Sequence, residues 1–178
     1  MAATTVIYRR TGAAGSPTDT AITSATTRLS LSDNPTPGNT TPILIPGTGS
    51  TFSYWMVTYL SCTTSPAGTI DTIKWYSSGT NPYPTGVTYQ VATAPTYVQA
   101  TGTATSGSQL VVGNYTGLVT AVNAFTFTSA SSLAINGTIT NPAVGKISDY
   151  IPQQSTVATG TVSGVTATST YTMTYNET

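Results

Sequence analysis

Residues 52–62 constrain the fold more than any other part of this chain. Phe52, Tyr54, Met56 and Leu60 fall on one face of an extended strand, and Trp55, Val57 and Tyr59 on the other. A strand with bulk on both faces has to be covered on both, so this segment reads as the central strand of a layered protein. Few windows carry the Leu, Glu, Lys, Arg and Gln content or the 3.6-residue period that amphipathic helices need. Strand signals recur instead. Residues 4–9 open the chain with a β-prone run. Residues 43–45 form a short apolar run fenced by Pro42 and Pro46. Residues 69–76 carry Ile73 and Trp75 on one face. The cleanest alternation is residues 87–91, with Val87, Tyr89 and Val91 inward. Further strands are expected at 97–101, at Leu110 with Val112, at Phe125 with Phe127, at Leu133 with Ile135, at 146–151 and at 168–175. Gly- and Pro-rich turns separate them, notably 77–86 and 103–108. About eight to ten short strands with such turns predict an all-β antiparallel β-sandwich, with a jelly roll as first choice. Residues 11–39 are rich in Thr, Ser, Pro and Gly, anchored only by Leu29 and Leu31, and read as an extended arm or a long loop. The chain therefore divides into residues 1–45, an N-terminal strand with that arm, and residues 46–178, the sandwich.

The side-chain inventory argues against an enzyme. The chain has no His, a single Cys at Cys62, and five acids (Asp19, Asp33, Asp71, Asp149 and Glu177) scattered along its length. Proton transfer near neutral pH, Ser activation and metal ligation each need groups that local neighbours do not supply here. A pair of distant acids acting on a glycoside is the remaining catalytic arrangement. No cofactor or metal is expected. One Cys excludes an internal disulfide, and its apolar surroundings suit a small buried residue. Only 6% of residues are charged and the formal net charge is zero, so there is no basic patch for nucleic acid. No stretch approaches a membrane span, and the opening Met1-Ala2-Ala3-Thr4-Thr5 lacks the pattern of a signal peptide. Ser and Thr make up about a third of the chain and keep its surface wet without charge. A surface so poor in charge suits life inside an assembly.

Four features carry functional readings beside plainer ones. Tyr8, Arg9 and Arg10 form either an anchor for acidic groups on a partner or the solubilising end of an edge strand. Among the aromatics Tyr54, Trp55, Tyr59, Trp75, Tyr76, Tyr83, Tyr89 and Tyr97, those inside strands read as core. Tyr83, in a Pro-rich loop, is a candidate contact residue for a sugar or a protein. Asn39, Asn114, Asn136 and Asn176 begin N-x-[ST] triplets, which a Thr-rich chain also produces by chance. The two ends, residues 11–39 and 169–175, are candidates for adding a strand to a neighbour, or are ordinary parts of the sandwich.

Three runs carry a family resemblance. They are Ile73-Lys74-Trp75-Tyr76-Ser77-Ser78-Gly79-Thr80, Gly86-Val87-Thr88-Tyr89-Gln90-Val91-Ala92-Thr93 and Tyr97-Val98-Gln99-Ala100-Thr101-Gly102. Together with the ending Tyr171-Thr172-Met173-Thr174-Tyr175-Asn176-Glu177, they resemble small virion structural proteins of tailed bacteriophages over residues 50–178. The resemblance implies a β-sandwich of the capsid decoration or cement type. Such a protein sits on the head as a homo-oligomer, a trimer by preference, and clamps the major capsid protein or another virion protein. Its implied location is the capsid surface. On this reading Tyr8, Arg9, Arg10 and Tyr83 are the partner-binding candidates. The alternatives are a phage tail or fibre component, an extracellular filament or surface-layer subunit joined by strand exchange, and a carbohydrate-binding module.

Overall fold

Residues 56–62 are all buried, so both faces of this segment are covered as the sequence requires. The structure, a computed structural model, describes residues 2–23, 27–37, 41–102, 115, 117–119, 121–164 and 168–178. Its strands are β1 (Thr4–Thr11), β2 (Thr18–Ala21), β3 (Ser50–Phe52), β4 (Met56–Thr64), β5 (Thr69–Ser77) and β6 (Val87–Val91). They continue with β7 (Val122–Asn123), β8 (Leu133–Ile135), β9 (Ile139–Thr140), β10 (Gly145–Lys146), β11 (Ile151–Ala158) and β12 (Tyr171–Glu177). The expected Leu110/Val112 strand, the turn at 103–108, and Asn39 and Asn114 lie outside the described residues.

The fold is all-β, with two antiparallel sheets packed as a sandwich. Sheet A runs β2-β1-β4-β11-β6-β7, with β10 beside β4 and β3 beside β11. Sheet B runs β12-β5-β8, with β9 also on β5. Leu60, Cys62, Tyr89, Val91 and Ile151 of sheet A meet Ile70, Ile73, Trp75, Ile135 and Ile139 of sheet B in the inter-sheet core. A second cluster covers the outer face of sheet A. There Trp55, Val57, Tyr59 and Tyr150 pack beneath Ala94, Ala100 and Tyr115.

Several expected strands come out differently. Residues 52–62 are broken between β3 and β4. Phe52 pairs with Thr156 and Met56 with Gln153, so three residues oppose two. This one-residue bulge reverses the alternation, and Phe52 and Tyr54 join the cluster of Trp55 and Tyr59 rather than siding with Leu60. Residues 43–45 are not a strand; they run between their prolines with Leu44 and Ile45 exposed. Residues 97–101 are not a strand either. They lie over the outer face of sheet A, where the Val98 amide donates to the Tyr115 hydroxyl instead of entering a ladder. Phe125 belongs to a single 3-10 turn, Ala124–Thr126.

The N-terminal strand is integral to sheet A, since β1 lies between β2 and β4 and matches β4 from Thr4 to Arg10. Described parts of residues 11–39 lie against the body. Asp33 accepts from the Gly12 amide and from the Gln99 side chain, and Ser30 accepts from the Tyr54 amide. Attachment to a partner is therefore to be probed by point substitution, because deleting residues 1–39 removes β1 from the sheet.

Candidate interaction site

Successive side chains on a strand point to opposite faces, and this separates Arg9 from its neighbours. Arg9 is 2% exposed and points inward, where its guanidinium donates to Thr27 Oγ1 (2.8 Å) and to the Arg28 carbonyl (2.9 Å). Burial pushes its pKa down to about 10, against the pull of Asp33. In this fold Arg9 is an interior residue and offers no surface to a partner.

Tyr8 and Arg10 face outward into the tyrosine cluster on sheet A. The β1–β2 register sets Arg10 opposite Asp19. The guanidinium grips that carboxylate with both arms, Nε to Oδ1 at 2.8 Å and Nη2 to Oδ2 at 2.6 Å. Its remaining arm donates to the Tyr150 hydroxyl at 2.6 Å. The guanidinium carbon also lies 5.0, 5.4 and 5.8 Å from the ring centres of Tyr59, Tyr150 and Tyr97. Tyr8 stacks on Tyr59 at 5.6 Å, and Lys146 places its ammonium 4.9 Å from the centre of the Tyr150 ring. The hydrogen bond from Arg10 holds the Asp19 carboxyl below its ordinary range, and burial followed by Asp19 raises the Tyr59 hydroxyl. The result is one arginine locked among four tyrosines, of which Tyr59 and Tyr150 are buried and Tyr8 and Tyr97 half-buried.

Lysine has one ammonium in place of the planar fork and cannot reproduce the two-armed grip on Asp19 together with the bond to Tyr150. The Arg10→Lys variant is expected to lose about 1–2 kcal/mol at neutral pH, read from the urea midpoint. Because the folded Asp19 pKa is lowered, the contribution of the pair is in place above pH 3.8 and is lost as the pH falls through the folded value. The wild type and the variant should therefore converge in stability in acid.

Tyr83 sits elsewhere. Its ring packs on Tyr89 (6.0 Å) and Phe125 (5.8 Å), and its hydroxyl lies 3.4 Å from that of Tyr171, so it seals the inter-sheet core. The structure thus brings Tyr8 and Arg10 together and separates Arg9 and Tyr83 from them. Trp55 and Trp75 are core residues at 3% and 1% exposure, so neither offers a face on which a sugar could stack.

Sequence reasoning missed a second surface. Leu31, Leu44, Ile45, Pro46 and Thr51 line an open groove of about 470 Å³ beside β3. Leu44 is 61% exposed and Ile45 38%. The signal is present in the apolar triplet 43–45 between two prolines, which in sequence reads as a short strand. Four of the acids have structural partners. Asp19 holds Arg10, Asp33 holds Gly12 and Gln99, Asp71 accepts from Thr72, and Glu177 accepts from the Ala3 and Ala67 amides. Among the described residues no three His, Cys, Asp or Glu side chains are grouped to hold a metal ion. Comparison with family models, curated proteins and solved structures finds no match to this chain.

Proposed function

We propose that this chain is a structural subunit of a virion, a decoration protein of a tailed-phage head that binds across neighbouring major capsid protein subunits. The observation that carries this reading is the open apolar groove at Leu31, Leu44 and Ile45 on a chain with only 6% charged residues. Exposed apolar surface with little charge around it suits a protein that spends its life against other proteins. The partly exposed side chains of Tyr8, Arg10 and Tyr97, held in place over the buried Tyr59 and Tyr150, are of the kind that anchor interfaces. The resemblance of residues 50–178 to small virion proteins supplies the class of partner. The mechanism is mechanical: contacts repeated over many copies favour the assembled shell by mass action.

The test is rebinding of the purified chain to heads stripped of it, followed by density-gradient sedimentation. Leu44→Asp/Ile45→Asp should weaken attachment at least about tenfold while leaving the circular dichroism unchanged, because both side chains are already exposed. Undiminished binding of that variant, or no binding of the wild type, contradicts the proposal. A filament or surface-layer subunit joined through strands is the second reading, favoured by the seven-residue strand β12 at an edge of sheet B.

A further inference from the structure

β12 is an edge strand built unlike the other edges. It pairs with β5 on one side, and its other side has no strand partner among the described residues. The other strands paired on one side only are short: β2 has four residues, β3 and β8 three each, and β7, β9 and β10 two each. Short length and charge are the usual protections of an edge. β12 has seven residues and no Lys, Arg or Pro, and its one acid, Glu177, is held by the Ala3 and Ala67 amides.

The backbone phase of this edge follows from the pairing of β5. The Ser77 amide donates to the Phe127 carbonyl, away from β12, so Tyr171 opposite Ser77 turns its own N–H and C=O outward. Two residues on, Met173 opposite Trp75 does the same. At the far end Thr178 and Thr69 exchange both hydrogen bonds, so Thr178 points its backbone inward and Glu177 outward. The extra residue of the bulge lies in β5, between Asp71 and Lys74, so β12 keeps its alternation and Tyr175 faces outward too. Between residues 171 and 175 the free groups thus belong to Tyr171, Met173 and Tyr175. These residues are half-buried, with side chains packed on the rim of the inter-sheet core.

The sequence Tyr171-Thr172-Met173-Thr174-Tyr175 reads the same in both directions. Antiparallel pairing with an identical strand, centred on Met173, sets Tyr171 opposite Tyr175, Thr172 opposite Thr174 and Met173 opposite itself. Every outward-pointing residue then meets an outward-pointing residue, and about six backbone hydrogen bonds form. The side-chain pairs are aromatic with aromatic and Thr with Thr, both favourable across strands. We propose that a second copy of this chain pairs with β12 across a two-fold axis at Met173, joining the two B sheets into one. The contact is isologous, so it gives pairs and does not by itself close the three-fold ring that the family resemblance implies. It is independent of the virion reading: unlabelled phage heads leave it standing, and a monomeric chain on labelled heads removes it alone.

Sedimentation velocity over a concentration series should show a monomer–dimer equilibrium for the wild type. In T172K/T174K each introduced lysine faces another across the axis, and dimer affinity should fall about tenfold or more. In T172K/T174E each lysine faces a glutamate, and affinity should return to the wild-type value or above. Independently of any substitution, hydrogen exchange at the amides of Tyr171, Met173 and Tyr175 should slow as the wild-type concentration rises. A wild type that stays monomeric, a dimer indifferent to both charge patterns, or amides with concentration-independent exchange overturns the proposal.

Discussion

Replacing Trp75 with alanine is expected to cost about 3–5 kcal/mol, the range for a fully buried large aromatic. Trp75 is 1% exposed and lies in β5, between β12 and β8. Its indole stacks on Tyr171 at 5.1 Å and meets the edge of Phe127 at 6.3 Å. Tyr171 in turn stacks on Tyr89 of sheet A at 5.2 Å, so the indole starts a column of rings that ties the two sheets together. Removing it leaves a cavity that neither sheet can close without losing strand register. Since a domain typically holds about 5–15 kcal/mol in total, the variant should lie near the edge of folding at 37 °C. Trp75→Phe keeps part of the column and should lose roughly half as much. Urea unfolding of the three proteins checks this, and a loss below about 1 kcal/mol for the alanine variant would show that the column carries little stability.

The second large effect is alkaline. Tyr59, Tyr83, Tyr89, Tyr97, Tyr115 and Tyr150 all have hydroxyls raised above their ordinary value near 10, each chiefly by burial. In the unfolded chain these groups ionise around pH 10, while in the folded protein they stay neutral. The unfolded state therefore binds fewer protons above pH 10, and stability, intact below that pH, falls as the pH rises. Tyr89 and Tyr115 alone each remove about 1.4 kcal/mol per pH unit, or about 3 together. Arg9 acts in the opposite sense. Burial lowers its pKa, so the cost of holding that charge in the folded state eases as the pH rises. One arginine does not offset several tyrosines. Cooperative unfolding is expected between about pH 10 and 12, with tyrosinate absorbance and near-UV circular dichroism changing together. Gradual tyrosine titration with an intact dichroism spectrum would show that the rings are not held as described.

Strands with a clean alternation were legible in the sequence, and the buried polar strand was not. Residues 87–91 alternate cleanly and are β6. Residues 69–76 give β5, with Ile73 and Trp75 inward as expected. The strand that joins the two halves of sheet A, β11, was recognised only at its first residue. Its sequence Ile151-Pro152-Gln153-Gln154-Ser155-Thr156-Val157-Ala158 resembles a loop, yet Gln153 and Gln154 are each 2% exposed. Their polarity is answered inside the fold. Tyr89 donates to Gln153, Gln153 donates to Thr58, and Gln154 donates to the Ser53 carbonyl. Buried polar groups that bond one another cost little, and no count of apolar residues detects them. The bulge at residues 53–55 was equally hidden, because the face of Phe52 is decided by what β11 places opposite it.

At the candidate site, the sequence sets Tyr8-Arg9-Arg10 apart but does not resolve the different places of its two arginines. Strand alternation alone separates Arg9 from Arg10. Which of them is buried depends on the register of β1 against β4, set by contacts far along the chain. Arg10 finds Asp19 nine residues away but Tyr150 only through β10 and β11 packing on β4. The groove at Leu44 and Ile45 was missed for a related reason: an apolar triplet between prolines looks the same whether it is covered by the chain itself or left for a partner.

Whether this chain is part of a virion is decided by seeing where it sits. An antibody raised against residues 50–178, used with gold labelling and electron microscopy on the native source, should place gold over icosahedral heads. Gold confined to cell-surface filaments, with particles left unlabelled, would contradict the virion assignment.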